Sequence, residues 1–151
     1  MPKDIDIIIY GATGFTGQLC VKYFQSLNTG VKWAIAGRNQ QKLQKVALDN
    51  SVEVDILIAD SDDEAALDML TSRAKVILST TGPFHRYGSK LVASCVKNSA
   101  NYVDITGENF WVKDLIAKHH EEASAKGIRI IPSCGYDSIP SDLGVFYSAK
   151  A

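Results

Sequence analysis

Apolar and polar positions along this chain of 151 residues alternate between two patterns. Short runs rich in Ile, Val and Ala are typical of strands buried on both faces, and the longer segments between them carry apolar residues at helical spacing. The predicted strands cover residues 5–10, 31–37, 52–59, 74–80, 101–106 and 129–133. The predicted helices cover residues 16–27, 40–49, 61–72, 88–98 and 110–126. This alternation predicts an α/β fold, a doubly wound parallel sheet of about six strands in the order 3-2-1-4-5-6, with helices on both faces.

Three helix ends are predicted from capping residues and turn formers. Asn28, Thr29 and Gly30 are expected to end the first helix. Ser61, with Glu64 three residues later, has the spacing of a capping box at the start of the third helix. Gly127 is placed to close the last long helix.

The end of the chain predicts the start of a further helix. Ser141 has the residue type of a helix N-cap, and apolar residues follow it. We therefore expect residues 1–140 to form one domain and residues 141–151 to lead into a second, substrate-binding domain outside this chain. A complete single domain with a short terminal helix is the alternative. Apolar side chains left uncovered on the last helix would favour a homodimer as a consequence of the missing domain.

The first predicted strand runs directly into the sequence GATGFTG. A strand that ends in closely spaced glycines and enters a helix is how a dinucleotide-binding fold begins. Gly11 would permit the tight turn, Gly14 would let the backbone approach a pyrophosphate, and Gly17 would let the helix lie against the strand. The phosphates would rest on N–H groups at the helix N-terminus. The spacing is GxxGxxG, a variant of the common GxGxxG fingerprint.

Arg38 follows the second predicted strand, 21 residues beyond Gly17. NAD-binding chains usually carry Asp or Glu at this place, whereas a cation suits the 2′-phosphate of NADP. A guanidinium can pair bidentately with phosphate and stack on adenine. The sequence therefore predicts NADP in preference to NAD. A solvated loop arginine is the alternative interpretation.

Two further loops are candidates for the same crevice. Asp60 ends the third strand, where its side chain would face the adenine, although it also suits the acidic start of a helix. Thr80, Thr81, Gly82 and Pro83 follow the fourth strand, at the point where the strand order reverses. Their hydroxyl and N–H groups are expected to hold the nicotinamide and its ribose. A turn stiffened by Gly82-Pro83 is the alternative.

Candidates for acid or base chemistry are few. Tyr136 and Asp137 lie in a polar, turn-rich segment after the sixth strand and are the candidates that we name, with a structural crossing loop as the alternative. His85 is near the crevice but has the character of a solvated loop histidine. His119 and His120 point about 100° apart on a helix, so that joint metal ligation is poor geometry and no metal site is predicted.

Composition limits the class of protein. A content of 46% hydrophobic and 22% charged residues is that of one soluble globular domain, and a net charge of −1 argues against a nucleic-acid surface. No apolar run approaches the roughly 18–20 residues of a membrane span, and Asp4 and Asp6 stand where a signal peptide would be apolar. Three dispersed cysteines are typical of reduced thiols. We expect an intracellular protein, cytoplasmic or organelle-associated.

Two other nucleotide-binding motifs do not match the spacing of this sequence. A Walker motif needs Lys after its last glycine, and Gln18 follows Gly17. The Tyr-x-x-x-Lys pair of short-chain dehydrogenases is missing, because Lys90 and Lys150 each lie one residue too close to the preceding tyrosine.

Five ordered motifs, GATGFTG, AGR, TTGPFHRYG, YVDITGE and PSCGYDSIPSDLG, make the chain resemble the saccharopine dehydrogenase-like oxidoreductases. That family includes the trans-acting enoyl reductases. The resemblance covers about residues 5–144 and implies the N-terminal Rossmann domain of a longer NAD(P)-linked oxidoreductase, with a second domain over the nicotinamide. The residues that it implies for the pyrophosphate loop are Gly11, Thr13, Gly14, Phe15 and Gly17. It further implies Arg38 for the adenosine phosphate and Thr80 to Pro83 for the nicotinamide side.

The sequence thus leaves three hypotheses on function. The first is the cofactor domain of an NADP-dependent oxidoreductase that acts on a small molecule. The second is a non-catalytic NADP(H) sensor or scaffold, since no catalytic dyad is evident. The third is an atypical short-chain reductase, which must explain the missing Tyr-x-x-x-Lys pair.

Overall fold

The computed structural model describes residues 3–27 and 30–150, and these contain one six-stranded sheet. Its strands are β1 (Ile5–Tyr10), β2 (Trp33–Gly37), β3 (Asp55–Ile58), β4 (Ala74–Ser79), β5 (Asn101–Asp104) and β6 (Ile130–Ile131). Every neighbouring pair is parallel, and the order is β3-β2-β1-β4-β5-β6. The predicted α/β class and strand order are confirmed.

Seven helices connect or follow the strands in the described part of the chain. They are α1 (Phe15–Ser26), α2 (Gln40–Asp49), α3 (Glu64–Arg73), α4 (Phe84–Tyr87), α5 (Ser89–Lys97), α6 (Asn109–Ala125) and α7 (Ile139–Ser148). Among the residues that the structure describes, no helix is both long and apolar enough to cross a membrane.

Helices cover both faces of the sheet, as predicted. Alternate residues of β1 point to opposite sides, so that Ile8 packs in a larger hydrophobic cluster with α3, α4, α5 and α6. Ile9 packs in a smaller cluster with Val21 of α1 and Leu43 of α2. No residue of α7 is buried. The sheet therefore separates a large apolar layer from a small one.

The sheet has its topological switch between β1 and β4. The chain leaves β1 toward β2 on one side and later returns to pair β4 on the other, with Tyr10 opposite Ser79 at the end of the ladder. Connections that diverge from neighbouring strands leave a crevice at their carboxyl ends. The loops that follow β1 and β4 form the walls of this crevice.

The predicted caps of α3 and α7 are wrong. Asp63, not Ser61, caps α3 by accepting a hydrogen bond from the Ala66 N–H at 3.0 Å. A turn in which Asp63 N–H donates to the Asp60 carbonyl places Ser61 before the helix. In α7 the N-cap is Ser138, and Ser141 lies inside the helix. A proline in the first turn favours this earlier start, because a proline N has no hydrogen to leave unpaired.

Other boundaries differ in length. The short helix α4 was not predicted, and β6 is only two residues long because Pro132 cannot donate to a ladder. Gly127, with a φ of 64°, closes α6 as predicted. Helix α1 ends at Ser26, whereas Asn28 and Thr29 of the predicted stop signal lie outside the described residues.

Candidate cofactor site

The glycine loop after β1 needs glycine at its first position. Gly11 has a φ of 89°, in the left-handed region that other residues rarely adopt. Its N–H donates to the Ala36 carbonyl at 2.9 Å, and its own carbonyl accepts from Gly14 N–H at 3.0 Å. A Cβ atom on Gly11 would lie 3.0 Å from Thr80 Oγ1 and closer still to Thr81 Oγ1. The glycine therefore lets the loops after β1 and β4 approach each other.

Gly17 lets α1 lie against the end of β1. A Cβ atom there would stand 2.8 Å from Ala12 Cα and closer to the Gly11 carbonyl, and this backbone cannot move aside without shifting the helix. Gly17 is itself buried. Its part in the site is to bring the helix N-terminus close to the crevice.

The N-terminus of α1 has no side-chain cap. Its N-cap residue is Gly14, which has no side chain to accept a hydrogen bond. Within the described ranges, no protein acceptor bonds the N–H groups of Phe15, Thr16 and Gly17. Such unpaired amides, together with the helix dipole, form a site for an anion.

The threonines after β4 form the wall of the crevice opposite the glycine loop, and Thr80 is hydrogen-bonded to that loop. Thr80 N–H donates to the Tyr10 carbonyl at 3.0 Å, and its hydroxyl lies 3.2 Å from the Gly11 carbonyl. Thr81 differs, because its Oγ1 is buried and has no hydrogen-bond partner in the described structure. A buried hydroxyl without a partner is costly, and here it lies beside the loop expected to hold a ligand.

A cavity of about 430 Å³ lies between these walls. Its lining residues are Tyr10, Gly11, Thr13, Gly14, Gly37, Arg38, Ser61, Thr80, Thr81, Gly82, Pro83 and Tyr87. Eight of the predicted site residues thus meet in one crevice. Tyr10, Gly37, Ser61 and Tyr87 were not predicted, although the first two end strands whose carboxyl ends face the crevice.

The remaining predicted residues lie outside the lining. Phe15 is 82% exposed, and Gly17 supports the loop from behind. Asp60 accepts a hydrogen bond from Asp62 N–H at 3.0 Å, while its neighbour Ser61 lines the cavity. Tyr136 is 89% exposed and lies with Asp137 between β6 and α7, and neither residue lines this cavity.

Charged groups surround the floor of the crevice. Burial raises the pKa of Tyr10, the negative charge of Asp60 raises it further, and the positive charge of Arg38 opposes both. The Tyr10 hydroxyl therefore stays neutral and donates to the Ala59 carbonyl at 3.3 Å. Arg38 is exposed at the rim, directly after β2. Arg38 lines the same cavity as the threonine loop.

Two carboxylates, one at the end of β5 and one just before α6, were not predicted from the sequence as part of the site. Asp104 is buried and accepts hydrogen bonds from the Tyr102 hydroxyl at 2.8 Å, Thr106 N–H at 3.0 Å and Ser133 N–H at 2.9 Å. Burial raises the pKa of Asp104, and the two backbone donors partly offset this. Glu108 accepts hydrogen bonds from the start of α4. The motif YVDITGE was noted only as part of the family resemblance.

Fold and site together define a dinucleotide-binding α/β domain. The unpartnered Thr81 hydroxyl, the uncapped helix and the glycine cradle fit a ligand with phosphate groups. Residues 7–131 match the model of the saccharopine dehydrogenase NADP-binding domain, and the chain belongs to that family. NADP is the cofactor of this domain family, and its named members are oxidoreductases, as the sequence predicted.

Curated relatives agree with this assignment. The chain is 39% identical over 147 residues to proteins named trans-acting enoyl reductase in Mycobacterium leprae and Mycobacterium tuberculosis. The match covers 95% of this chain and 35% of each relative. The chain therefore spans about a third of the length of these relatives.

Solved structures share the fold. Apo saccharopine dehydrogenase (L-Glu forming) from Saccharomyces cerevisiae has a TM-score of 0.72 at 19% identity, covering 89% of this chain and 28% of that one. A structure of AtPrR2 with NADP+ and (+)pinoresinol has a TM-score of 0.57 at 13% identity, covering 87% of this chain and 50% of that one.

Proposed function

We propose that the chain binds NADP(H) in the crevice between β1 and β4, as the cofactor domain of an NADP-dependent oxidoreductase. The observation that supports this proposal best is the cavity itself. It brings the glycine loop at the uncapped N-terminus of α1, the guanidinium of Arg38 and the threonine loop to one place. These are groups for a diphosphate, a 2′-phosphate and a nicotinamide ribose, in that order.

The roles proposed for individual residues follow the walls of the crevice. Gly11, Thr13 and Gly14 lie next to the diphosphate, with Phe15 and Gly17 supplying amides of the first helical turn. Arg38 pairs with the 2′-phosphate, and the Ser61 hydroxyl is a second candidate for it. Asp60 stays a candidate for the adenine. Thr80, Thr81, Gly82 and Pro83 hold the nicotinamide side.

Hydride transfer is the chemistry that the nicotinamide supplies when bound. The residues of this chain bind the cofactor, orient it and exclude water from one side. The names of the mycobacterial relatives favour an enoyl compound as the small-molecule substrate. Residues 141–151 are proposed to lead toward a substrate domain, and Tyr136 and Asp137 stay the candidates for acid or base chemistry.

A non-catalytic NADP(H)-binding role is the second candidate. It is favoured by the position of Tyr136, which is almost fully exposed outside the crevice lining. Both candidates require cofactor binding. They differ in whether NADPH is consumed when an enoyl compound is added.

Cofactor binding is tested by thermal unfolding of the chain with NADPH, NADP+, NADH or NAD+. A ligand at 100 times its Kd stabilises a protein by about 2.7 kcal/mol. For a domain of this size, that corresponds to a rise in Tm of about 5–10 °C. We expect this rise with NADPH and a smaller one with NADH at equal concentration. Equal rises would contradict the role of Arg38, and the absence of any rise would contradict cofactor binding.

Thr81→Val is expected to separate folding from ligand binding. Valine keeps the shape of threonine but removes the buried hydroxyl that has no partner, and we expect a Tm about 2–4 °C higher without ligand. NADPH should bind more weakly, because the hydroxyl is the group proposed to contact it. Thr80→Val is the matched control. It removes a hydroxyl that is bonded to the Gly11 carbonyl and should lower the Tm. A lower Tm for Thr81→Val, or unchanged NADPH affinity, would refute this role.

A further inference from the structure

The residue just before α6 reaches across to the crevice wall. Glu108 Oε1 accepts a hydrogen bond from Phe84 N–H at 2.8 Å, and Oε2 accepts one from His85 N–H at 2.9 Å. Oε2 also lies 2.6 Å from His85 Nδ1. The Glu108 side chain is 22% exposed, and both of its oxygens are engaged. It thus connects the start of α6 with a segment 24 residues earlier in the chain.

The two amides held by Glu108 are the first amides of α4. Amides in the first turn of a helix have no acceptor within the helix, and Glu108 supplies one. Helix α4 begins directly after Pro83 and ends at Tyr87, and both of these residues line the crevice. Glu108 therefore holds the first turn of the helix that directly follows the threonine loop.

The same segment is packed against α6 on its apolar side. The buried Phe84 ring lies 5.9 Å from the Trp111 ring, and Trp111 Nε1–H donates to Ser89 Oγ at 2.9 Å. A Cβ atom on Gly88 would stand 2.6 Å from Trp111 Cζ2. This close packing fixes the body of α4 but makes no polar contact with its first amides.

Glu108 is itself anchored to the sheet. Its N–H donates to Thr106 Oγ1 at 3.1 Å, and Thr106 N–H donates to the buried carboxylate of Asp104 at 3.0 Å. Burial alone would raise the pKa of Glu108, but the hydrogen bonds from His85 and Phe84 outweigh it and lower the pKa. A charged acceptor is thus held in place from β5. Hydrogen bonds to charged groups are stronger than those between neutral ones.

We propose that Glu108 is a positioning residue for the nicotinamide side of the cofactor crevice, acting through its hydrogen bonds to the first amides of α4. The proposal rests on the NADP(H) binding proposed above. Glu108 does not line the cavity, so that its effect must pass through Gly82 and Pro83. The adenosine side, formed by β2 and Arg38, has no contact with this carboxylate among the described hydrogen bonds and should not depend on it.

The test measures the Kd of two ligands for the Glu108→Gln variant and for the unsubstituted chain by isothermal titration calorimetry. Adenosine 2′,5′-bisphosphate carries the 2′-phosphate but no nicotinamide, whereas NADPH carries both. Glutamine loses the charge and offers a donor in place of one acceptor oxygen. We expect the Kd for NADPH to rise about tenfold or more, because a first turn of α4 that has lost its acceptor must be ordered again when the cofactor binds, at a cost of about one residue's backbone entropy. The Kd for the bisphosphate should change less than about twofold, within the ordinary effect of a distant substitution.

Two variants control for charge and for the imidazole. Glu121→Gln makes the same substitution at an exposed position of α6 and should change neither Kd. His85→Gln keeps both backbone hydrogen bonds and should leave NADPH affinity unchanged. If Glu108→Gln does not fold, Glu108→Asp, which keeps the charge but shortens the reach, is expected to show the same difference between the two ligands.

If Glu108→Gln lost affinity for NADPH and for the bisphosphate by the same factor, the proposal would be overturned, since Glu108 would then only support the fold. Unchanged NADPH affinity in folded Glu108→Gln would overturn it as well. So would a loss of NADPH affinity in His85→Gln as large as that in Glu108→Gln. If the unsubstituted chain bound neither ligand, the proposed function would be wrong and this inference with it. Binding of both by the unsubstituted chain, without a difference in Glu108→Gln, would overturn the inference alone.

Discussion

Gly17→Ala is expected to lower the Tm by about 2–12 °C and to remove measurable NADPH binding. The added methyl would meet the backbone of Gly11 and Ala12, which cannot yield as a flexible side chain would. Overpacking of this kind costs about 1–3 kcal/mol, and each kcal/mol lowers the Tm by about 2–4 °C in a domain of this size. Relief of the clash would move α1 away from the loop, and with it the amides proposed to hold the diphosphate. Thermal unfolding and calorimetric titration with NADPH measure the two effects.

Gly107→Ala is the matched control for this substitution. Gly107 lies in a loop with no atom near the position of an added Cβ, and its φ is not in the left-handed region. Both its Tm and its NADPH affinity should stay close to those of the unsubstituted chain. If Gly17→Ala behaved like this control, the packing of α1 on the glycine loop would not be what holds the site together.

Arg38→Asp is expected to invert the preference between the two nicotinamide cofactors. NADPH would lose charge-assisted hydrogen bonds worth about 1.5–3 kcal/mol and would meet a like charge, so that its Kd should rise at least about tenfold. NADH carries a 2′-hydroxyl instead of a phosphate, and an aspartate after the second strand accepts a hydrogen bond from it. NADH affinity should therefore be unchanged or higher. Titration with both cofactors at one ionic strength measures the ratio, since phosphate contacts are sensitive to salt.

Arg129→Asp provides the same charge change at the far edge of the sheet. Arg129 precedes β6, on the other side of β1 from Arg38. A reversal of charge there should leave the ratio of NADPH to NADH affinity unaltered. A fall in NADPH affinity of similar size in both variants would mean that overall charge, and not a contact with the 2′-phosphate, determines the preference.

Much of the fold was predictable because each strand has its own signal. Runs such as IDIIIY and AKVILS are apolar on both faces, and only a parallel sheet covered on two sides buries them. Helix ends were harder to predict. Asp60, Ser61 and Asp63 are all good cap residues, and the choice of Asp63 depends on the turn from Asp60 to Asp63, which places the cap two residues beyond Ser61. Local sequence does not rank such neighbours.

The residues of the candidate site likewise divide into those that the sequence predicted and those that it did not. Gly11, Gly14 and the threonine loop were predictable because backbone conformation and strand order place them. Ser61 and Tyr87 line the crevice through the course of turns and a short helix that were predicted differently or not at all. Glu108 was missed because its partners are 23 and 24 residues away, and no periodicity relates a carboxylate to distant backbone amides. Contacts of this kind follow from topology only after the loops are in place.

The division of the apolar side chains into a large and a small layer has a consequence for the order in which the domain opens. Helix α1, whose first turn faces the phosphates, belongs to the small layer with Val21 as its buried anchor. Segments with little buried apolar surface open at lower free energy than the rest of a protein. A dinucleotide would bind to this less protected layer and would add most stability where the packing of the fold provides least. On ligation, amides of α1 and β2 that exchange through local opening would then slow by the direct protection of the bound ligand, whereas amides of α5 and α6 that exchange only through global unfolding would slow by the overall stabilisation alone.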